Sequence, residues 1–273
     1  MSIRVLYIGE VVGKAGVFAV KKLLPGLKEE LKPDFVVANV AGATGGAGVG
    51  KAHALYLRKL GIDCMTTGES AFYKKDIVEL FPKAPWLLRP ANHPPGVPGR
   101  GLRIMRSDSA ALAVVQLLGQ AGFGRIHLDN PFLILDSILD ELRRERVAAI
   151  VDFRAATTAE KQALFRHADG RVAALIGSYA RSLSADARIG PGGSAYLGDA
   201  GMSGCIGGVA GMDPDAKVRE YLSGIPVWAK ETAGPVELQG CVIDIDEGGK
   251  ARAIEALRIA CPEEFHERAR HTD

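Results

Sequence analysis

Residues 4–39 constrain the fold more than any other stretch. Arg4–Ile8 is a short apolar, β-rich run, and Gly9–Gly16 is a turn segment. Val17, Val20, Leu23, Leu24, Leu27 and Leu31 then recur at helical spacing. Pro33 stops that helix, and Asp34–Asn39 is a second apolar strand. A strand–helix–strand unit of this kind sets its two strands parallel and joins them by a right-handed crossover.

The alternation continues downstream. A loop over Gly42–Gly50 carries five glycines. Helix is predicted over Lys51–Leu60 and Lys74–Leu80, with strands at Ile62–Thr66 and Trp86–Arg89. A Pro/Gly-rich loop, Pro90–Gly101, leads to a hairpin of Leu102–Met105 and Ala110–Leu118. Helix follows at Asn130–Arg146 and Thr158–Arg166, alternating with strands at Val147–Phe153 and Val172–Gly177. The last third reads as antiparallel strands, Ile225–Lys230, Val236–Asp246 and Ala251–Ile259, the last two joined by a turn at Glu247-Gly248-Gly249. The layout is one α/β domain over residues 1–262, two packed mixed sheets with helices outside, and a polar C-terminal tail over 263–273.

Composition removes several functional classes. Lys+Arg is 34 against Asp+Glu 32, which excludes the basic excess of a dedicated nucleic-acid binder. No run approaches the roughly 18 apolar residues of a membrane span. Met1–Gly13 lacks the apolar core of a secretion signal, and the four cysteines include no C-x-x-C pair. A cytoplasmic protein with reduced thiols is therefore expected.

In α/β folds the reactive groups collect on loops that leave the C-terminal ends of the strands. Those loops are Gly9–Gly13, Asn39–Thr44, Thr67–Ser70, Asp152–Ala155 and Gly177–Arg181. Motifs around them occur in a particular order. Ile8-Gly9-Glu10-Val11-Val12-Gly13 is similar to I-G-D-V-V-G, Arg89-Pro90-Ala91-Asn92 is R-P-A-N, and Asp129-Asn130-Pro131-Phe132 is close to D-D-P-F. Thr157–Lys161 is similar to T-S-E-K, Asp169-Gly170-Arg171 is D-G-R, and Asp199–Gly204 is close to D-V-G-M-T-G.

By these motifs the chain resembles the YmdB-type calcineurin-like metallophosphoesterases over residues 3–260. The resemblance implies their α/β sandwich and the hydrolysis of phosphodiesters, including 2′,3′-cyclic nucleotides. It also implies two divalent metals, manganese or iron, that activate water and neutralise phosphate. The positions that would hold those metals are substituted. Glu10 stands for the first aspartate, and Asn39 for an asparagine that is not a main ligand. Ala41 replaces the bridging glutamate, Gly42 the ligand asparagine, Glu69 another asparagine, and Ser70 the general-acid histidine. Arg154, Tyr179 and Arg181 replace ligand histidines, and Ala156 replaces a glutamate. The six histidines, His53, His93, His127, His167, His266 and His271, include no pair at a ligand spacing.

The substitutions lead to one expectation about geometry and one about function. Arginine beside carboxylate makes bidentate, charge-assisted hydrogen bonds, so Glu10, Arg154, Arg181 and Glu69 are expected to form a salt-bridged cluster. The other outcome is that these side chains point to solvent. The functional expectation is a metal-free pseudoenzyme acting through binding or assembly, with no cofactor and no confident catalytic residue. Expected partners are a second copy of the chain, a protein, or a phosphate or nucleotide anion held by Arg154 and Arg181. The alternative is a phosphodiesterase or phosphatase of the 2′,3′-cyclic nucleotide class with a remodelled metal site. Its donors would be Glu10 and Glu69, with Asn39 and Asp199 beside them. The glycine-rich segment is no Walker loop, since Gly50-Lys51 is followed by Ala52.

Overall fold

The computed structural model describes residues 2–107, 110–123 and 127–266. Its first half contains strands β1 (Ile3–Ile8) and β2 (Glu10–Val11), helix α1 (Gly13–Leu31), β3 (Phe35–Asn39), α2 (Lys51–Lys59), β4 (Cys64–Thr66), α3 (Lys75–Val78) and β5 (Leu87–Leu88). Next come β6 (Leu102–Arg106), β7 (Ala111–Leu118), α4 (Pro131–Glu145), β8 (Ala148–Arg154), α5 (Thr158–Ala168), β9 (Ala174–Ser178), β10 (Arg188–Ile189) and β11 (Ala195–Leu197). The chain ends with β12 (Met202–Cys205), α6 (Pro214–Ser223), β13 (Val236–Ile245) and β14 (Ala251–Ala260).

The strands make two sheets. The first runs β2-β12-β13-β1-β3-β4-β5, with β14 paired to β13; the second runs β10-β11-β9-β8-β7-β6. Alternation along β1 shows how they pack. Val5 and Tyr7 point into the core between the sheets, where they meet Val114, Ile150 and Ile176. Leu6 and Ile8 point the other way, towards Val20 and Leu24 of α1 and Leu57 of α2. On the far side of the second sheet, Leu135 and Leu139 of α4 and Leu164 of α5 cover Val115 and Val151. Three apolar layers therefore separate four structural layers, helix, sheet, sheet and helix. Central strands buried on both faces read as continuous apolar runs.

The expected sandwich is thus observed, with four local corrections. Helix α1 begins at Gly13, within the predicted turn. Gly13 takes φ 62°, which swings the chain directly out of β2. The period is hidden there because small residues face the sheet, and a side chain at Gly16 would collide with the Ser203 carbonyl. Ile225–Lys230 is no strand; it pairs with no sheet edge and leaves Ile225 and Trp228 exposed. Helix α6 and the short strands β2, β10, β11 and β12 lie in segments too short or too polar to announce themselves. Finally, the start of the predicted tail is attached. Phe265 exchanges two 2.9 Å backbone hydrogen bonds with Gly234, and its ring lies 5.7 Å from that of Phe18. The rest of the predicted tail, 267–273 with His271, lies outside the described residues.

Candidate active site

Strands β1, β3 and β4 of the first sheet and β8 and β9 of the second end on the same side of the sandwich. They deliver the loops singled out from the sequence to one place. Glu10 lies in β2, just beyond β1; Arg154 is the last residue of β8; Glu69 sits in a single 3-10 turn, Gly68–Ser70, after β4; and Arg181 follows β9.

These four side chains form one ionic cluster. Arg154 donates from Nη1 to Glu10 Oε2 at 2.6 Å and from Nη2 to Glu69 Oε1 at 2.8 Å, and its Nε donates to Glu69 Oε2. Arg181 donates to Glu10 Oε1 from Nε at 3.0 Å and from Nη2 at 2.6 Å. Arg181 is held further by the carbonyls of Gly46 at 2.6 Å and Ala210 at 3.0 Å. The side chains of Arg154 and Glu10 are 3% and 1% exposed, against 14% for Arg181 and 16% for Glu69. The expected cluster is therefore present, and the outcome in which its members face solvent does not hold.

Two glycines make room for it. A side chain at Gly42 would come within 2.8 Å of both Arg181 Nη2 and Glu10 Oε1. One at Gly68, which has φ 65°, would collide with Arg154. The substitution at position 42 and the arginine at 181 are thus sterically matched.

Charge balances within the cluster. Burial works against ionising Glu10, but Arg154 and then Arg181 outweigh it and hold the Glu10 carboxyl below its ordinary range. Burial likewise disfavours the Arg154 cation, and Glu10 and Glu69 overcome it, raising its pKa. The ring of Tyr179 lies 5.2 Å from Arg154 Cζ, so one face of the guanidinium is covered by an aromatic surface.

Beneath the ions lies a buried polar layer. Asn39 Nδ2 donates to Asp152 Oδ2 at 3.1 Å and to Ser178 Oγ at 3.2 Å; Ser178 donates to Asp152 Oδ1 at 3.0 Å, and Thr66 also donates to Asp152. Burial raises the Asp152 pKa, against the pull of those hydrogen bonds and of Arg154. Asn39 also accepts from the Ala41 backbone at 3.0 Å, which fixes the loop that leads to Gly42. Ser70 is buried in the turn that carries Glu69.

The loop bearing Tyr179 and Arg181 is strained. Their φ values are 113° and 55°, a region non-glycine residues seldom occupy. Asp199 holds it in place. Its Oδ2 accepts from the Ala180 backbone at 2.8 Å and from Lys161 Nζ at 2.9 Å, and its Oδ1 accepts from Gly201 at 3.0 Å. Gly201 in turn accepts from the Glu10 backbone at 2.9 Å. Asp199 thus works as a brace for the loop rather than as a donor beside Glu10 and Glu69. Sequence reasoning missed Lys161, whose only signal was its place in the Thr157–Lys161 motif.

Three of the histidines are engaged elsewhere. His53 bonds Thr44 at 2.8 Å, His167 bonds Asp136 at 2.8 Å, and the ring of His93 packs on Phe72 at 5.7 Å. Among the described residues no group of three or more His, Cys, Asp or Glu is arranged to hold a metal ion. All four oxygens of Glu10 and Glu69 accept from guanidiniums. In this arrangement the donors do not fit a two-metal centre, because a cation would have to displace Arg154 from the oxygens it needs.

Comparison with known proteins places this geometry in a family. The family model described as YmdB-like protein matches residues 6–257. The chain belongs to the YmdB-like family. It is 37% identical to a 2′,3′-cyclic-nucleotide 2′-phosphodiesterase of Bacillus subtilis (strain 168), over 94% of this chain and 96% of that one. A crystal structure described as a novel phosphatase from Mycoplasma pneumoniae superposes with a TM-score of 0.90 at 30% identity, covering 98% of this chain and 96% of the other. The NAD nucleotidase of Haemophilus influenzae shares the fold alone, with a TM-score of 0.61 at 13% identity over 95% of this chain and 56% of its own.

These relatives correct the functional expectation. The two relatives matched almost end to end are named as a phosphodiesterase and a phosphatase, so substituted positions alone give no ground for calling this chain a pseudoenzyme. The expectation of no cofactor rested on the same reading and falls with it. The four ionic side chains of the site bond one another. Among the described residues no helix is long and apolar enough to cross a membrane.

Proposed function

We propose that the chain hydrolyses phosphodiesters of the 2′,3′-cyclic nucleotide class. The observation that carries this reading is the 37% identity, across nearly all of both chains, to the Bacillus subtilis phosphodiesterase. The position of the cluster agrees with it, at the end of the sandwich where α/β folds place their chemistry.

The residues of this chain suit a phosphate ester in a specific way. A planar guanidinium binds phosphate as it binds carboxylate, through two parallel N–H donors. A phosphate can therefore take the place of Glu69 on the Nε and Nη2 edge of Arg154. Glu69 is the carboxylate to yield, because it is the more exposed one and sits on a single short turn, whereas Glu10 is enclosed and held by both arginines. Arg154 and Arg181 would then face the charge that develops on the phosphoryl oxygens, already oriented by Glu10. Glu69, released from the fork, is the carboxylate that would take a proton from the attacking water as its oxygen bonds to phosphorus, and that proton would go to the ribose oxygen released as the ring P–O bond breaks.

The test is turnover of 2′,3′-cyclic adenosine monophosphate by the purified chain, followed by chromatography of the products, with manganese, magnesium, iron or no added ion. Turnover that falls by about 100-fold or more in Arg154→Ala is expected for loss of a charge-stabilising group. Absence of turnover in every ionic condition at micromolar enzyme would overturn the reading.

A further inference from the structure

Beside Arg181 lies a cleft of about 380 Å³ that the cluster does not use. One wall is the glycine-rich loop at Gly45 and Gly46; the other is the lobe made by α6 and the irregular segment after it. Met212, Val227 and Ala229 give the cleft an apolar floor, and Ala216 packs with them in a small cluster apart from the main cores. Tyr221 and Trp228 stand at the mouth, 85% and 91% exposed.

The lobe is tied down on the side that faces the cluster. Glu231 accepts 2.8 Å hydrogen bonds from the backbones of Lys14 and Gly45, which joins the segment after Trp228 to the start of α1 and to the glycine-rich loop. The Asp213 backbone donates to Lys230 at 2.8 Å, closing the base of the lobe. The two walls therefore belong to one hydrogen-bonded unit, and Arg181 reaches into it, bonded to the carbonyls of Gly46 and Ala210. Two large aromatic side chains kept in water over an apolar floor are unfavourable unless something covers them.

We propose that this cleft is the base subsite of the enzyme, taking the nucleobase of a substrate whose phosphate lies on Arg154 and Arg181. The inference rests on the phosphodiesterase reading for the phosphate and on the cleft itself for the base. Chemistry favours this occupant. A nucleotide joins an anion to a flat aromatic ring, and here a guanidinium adjoins a cleft edged by Tyr and Trp. Aromatic side chains stack on any base face, so the subsite should prefer nucleotides over base-less esters while discriminating little between bases.

Two measurements separate this inference from the activity it rests on. The first is the ratio of kcat/KM for 2′,3′-cyclic adenosine monophosphate to that for glycerol 1,2-cyclic phosphate, which lacks a base. This ratio should fall about tenfold in Trp228→Ala and Tyr221→Ala and be largely restored in Trp228→Phe. The second does not require turnover. Trp86 and Trp228 are the two tryptophans of the chain, and adenosine monophosphate should quench the fluorescence that Trp228→Phe removes, whereas inorganic phosphate should not. Quenching without hydrolysis would leave the base subsite standing and sink the activity. Hydrolysis with an unchanged substrate ratio and no quenching would overturn the subsite alone. A shift to a smaller species in sedimentation velocity on Trp228→Ala, with the ratio unchanged, would also overturn it and assign the aromatic face to a contact between copies of this chain.

Discussion

Arg154 and Glu10 meet at 2.6 Å with neither side chain more than 3% exposed, and they come from different sheets. Such a pair is costly to break from one side, because the surviving charge stays buried. Glu10→Gln should therefore lower stability at pH 7 by about 3 kcal/mol, measured by urea denaturation. The Glu10 pKa is lower folded than unfolded, so its contribution is present above the unfolded value and is lost as pH falls through the folded one. Wild type and Glu10→Gln should accordingly converge in stability as the pH drops below about 4. A difference that stays constant down to pH 3 would show that Glu10 is not the ionised partner.

Arg154 occupies oxygens that a divalent cation would need. Arg154→Gln frees Glu69 and one oxygen of Glu10, leaving hard donors with no cationic partner on that side. The thermal midpoint of this variant should rise more on adding millimolar manganese than that of wild type. An equal shift in the two proteins would mean that the arginine and the ion do not compete.

Gly42 tests the steric match directly. Gly42→Ala places a methyl group against Arg181 Nη2 and Glu10 Oε1, so the arginine must move. The variant should lose about 1–3 kcal/mol of stability and most of its turnover. Gly26→Ala is the control: nothing lies within 4 Å of the added carbon, the position is inside α1, and stability should rise by about 0.5–1 kcal/mol. Unchanged turnover in Gly42→Ala would remove Arg181 from the site.

The brace formed by Lys161 and Asp199 acts through the loop it holds. Asp199→Ala should release the strained backbone at Tyr179 and Arg181 and raise KM about tenfold, with a smaller change in kcat, because Arg181 is misplaced rather than removed. Equal losses in kcat and kcat/KM would instead put Asp199 in the chemical step.

Much of the fold was legible in the sequence, because central strands buried on both faces and amphipathic helices carry distinct periods. The strand signal failed where a loop mimics it: Ile225–Ala229 is a continuous apolar run, yet no sheet edge receives it. The cluster was legible from chemical complementarity, since two arginines and two glutamates on converging strand ends have few other ways to be buried. Its supports were not. Lys161 and Asp199 are 38 residues apart, and neither residue alone signals the other. Function was misjudged because replaced ligand positions were read as a loss, although a site can be rebuilt from different side chains.

The ionic cluster also bears on the order of folding. Glu10 and Arg154 are 144 residues apart, and their pairing requires both sheets to be assembled and docked. A contact closing so long a loop belongs late on the folding path, after the local strand–helix–strand units have formed. Variants that remove it should mainly speed unfolding and leave the refolding arm of a chevron nearly unchanged. The cluster would then act as a latch on the finished sandwich, setting how long the native state lasts rather than how quickly it is reached.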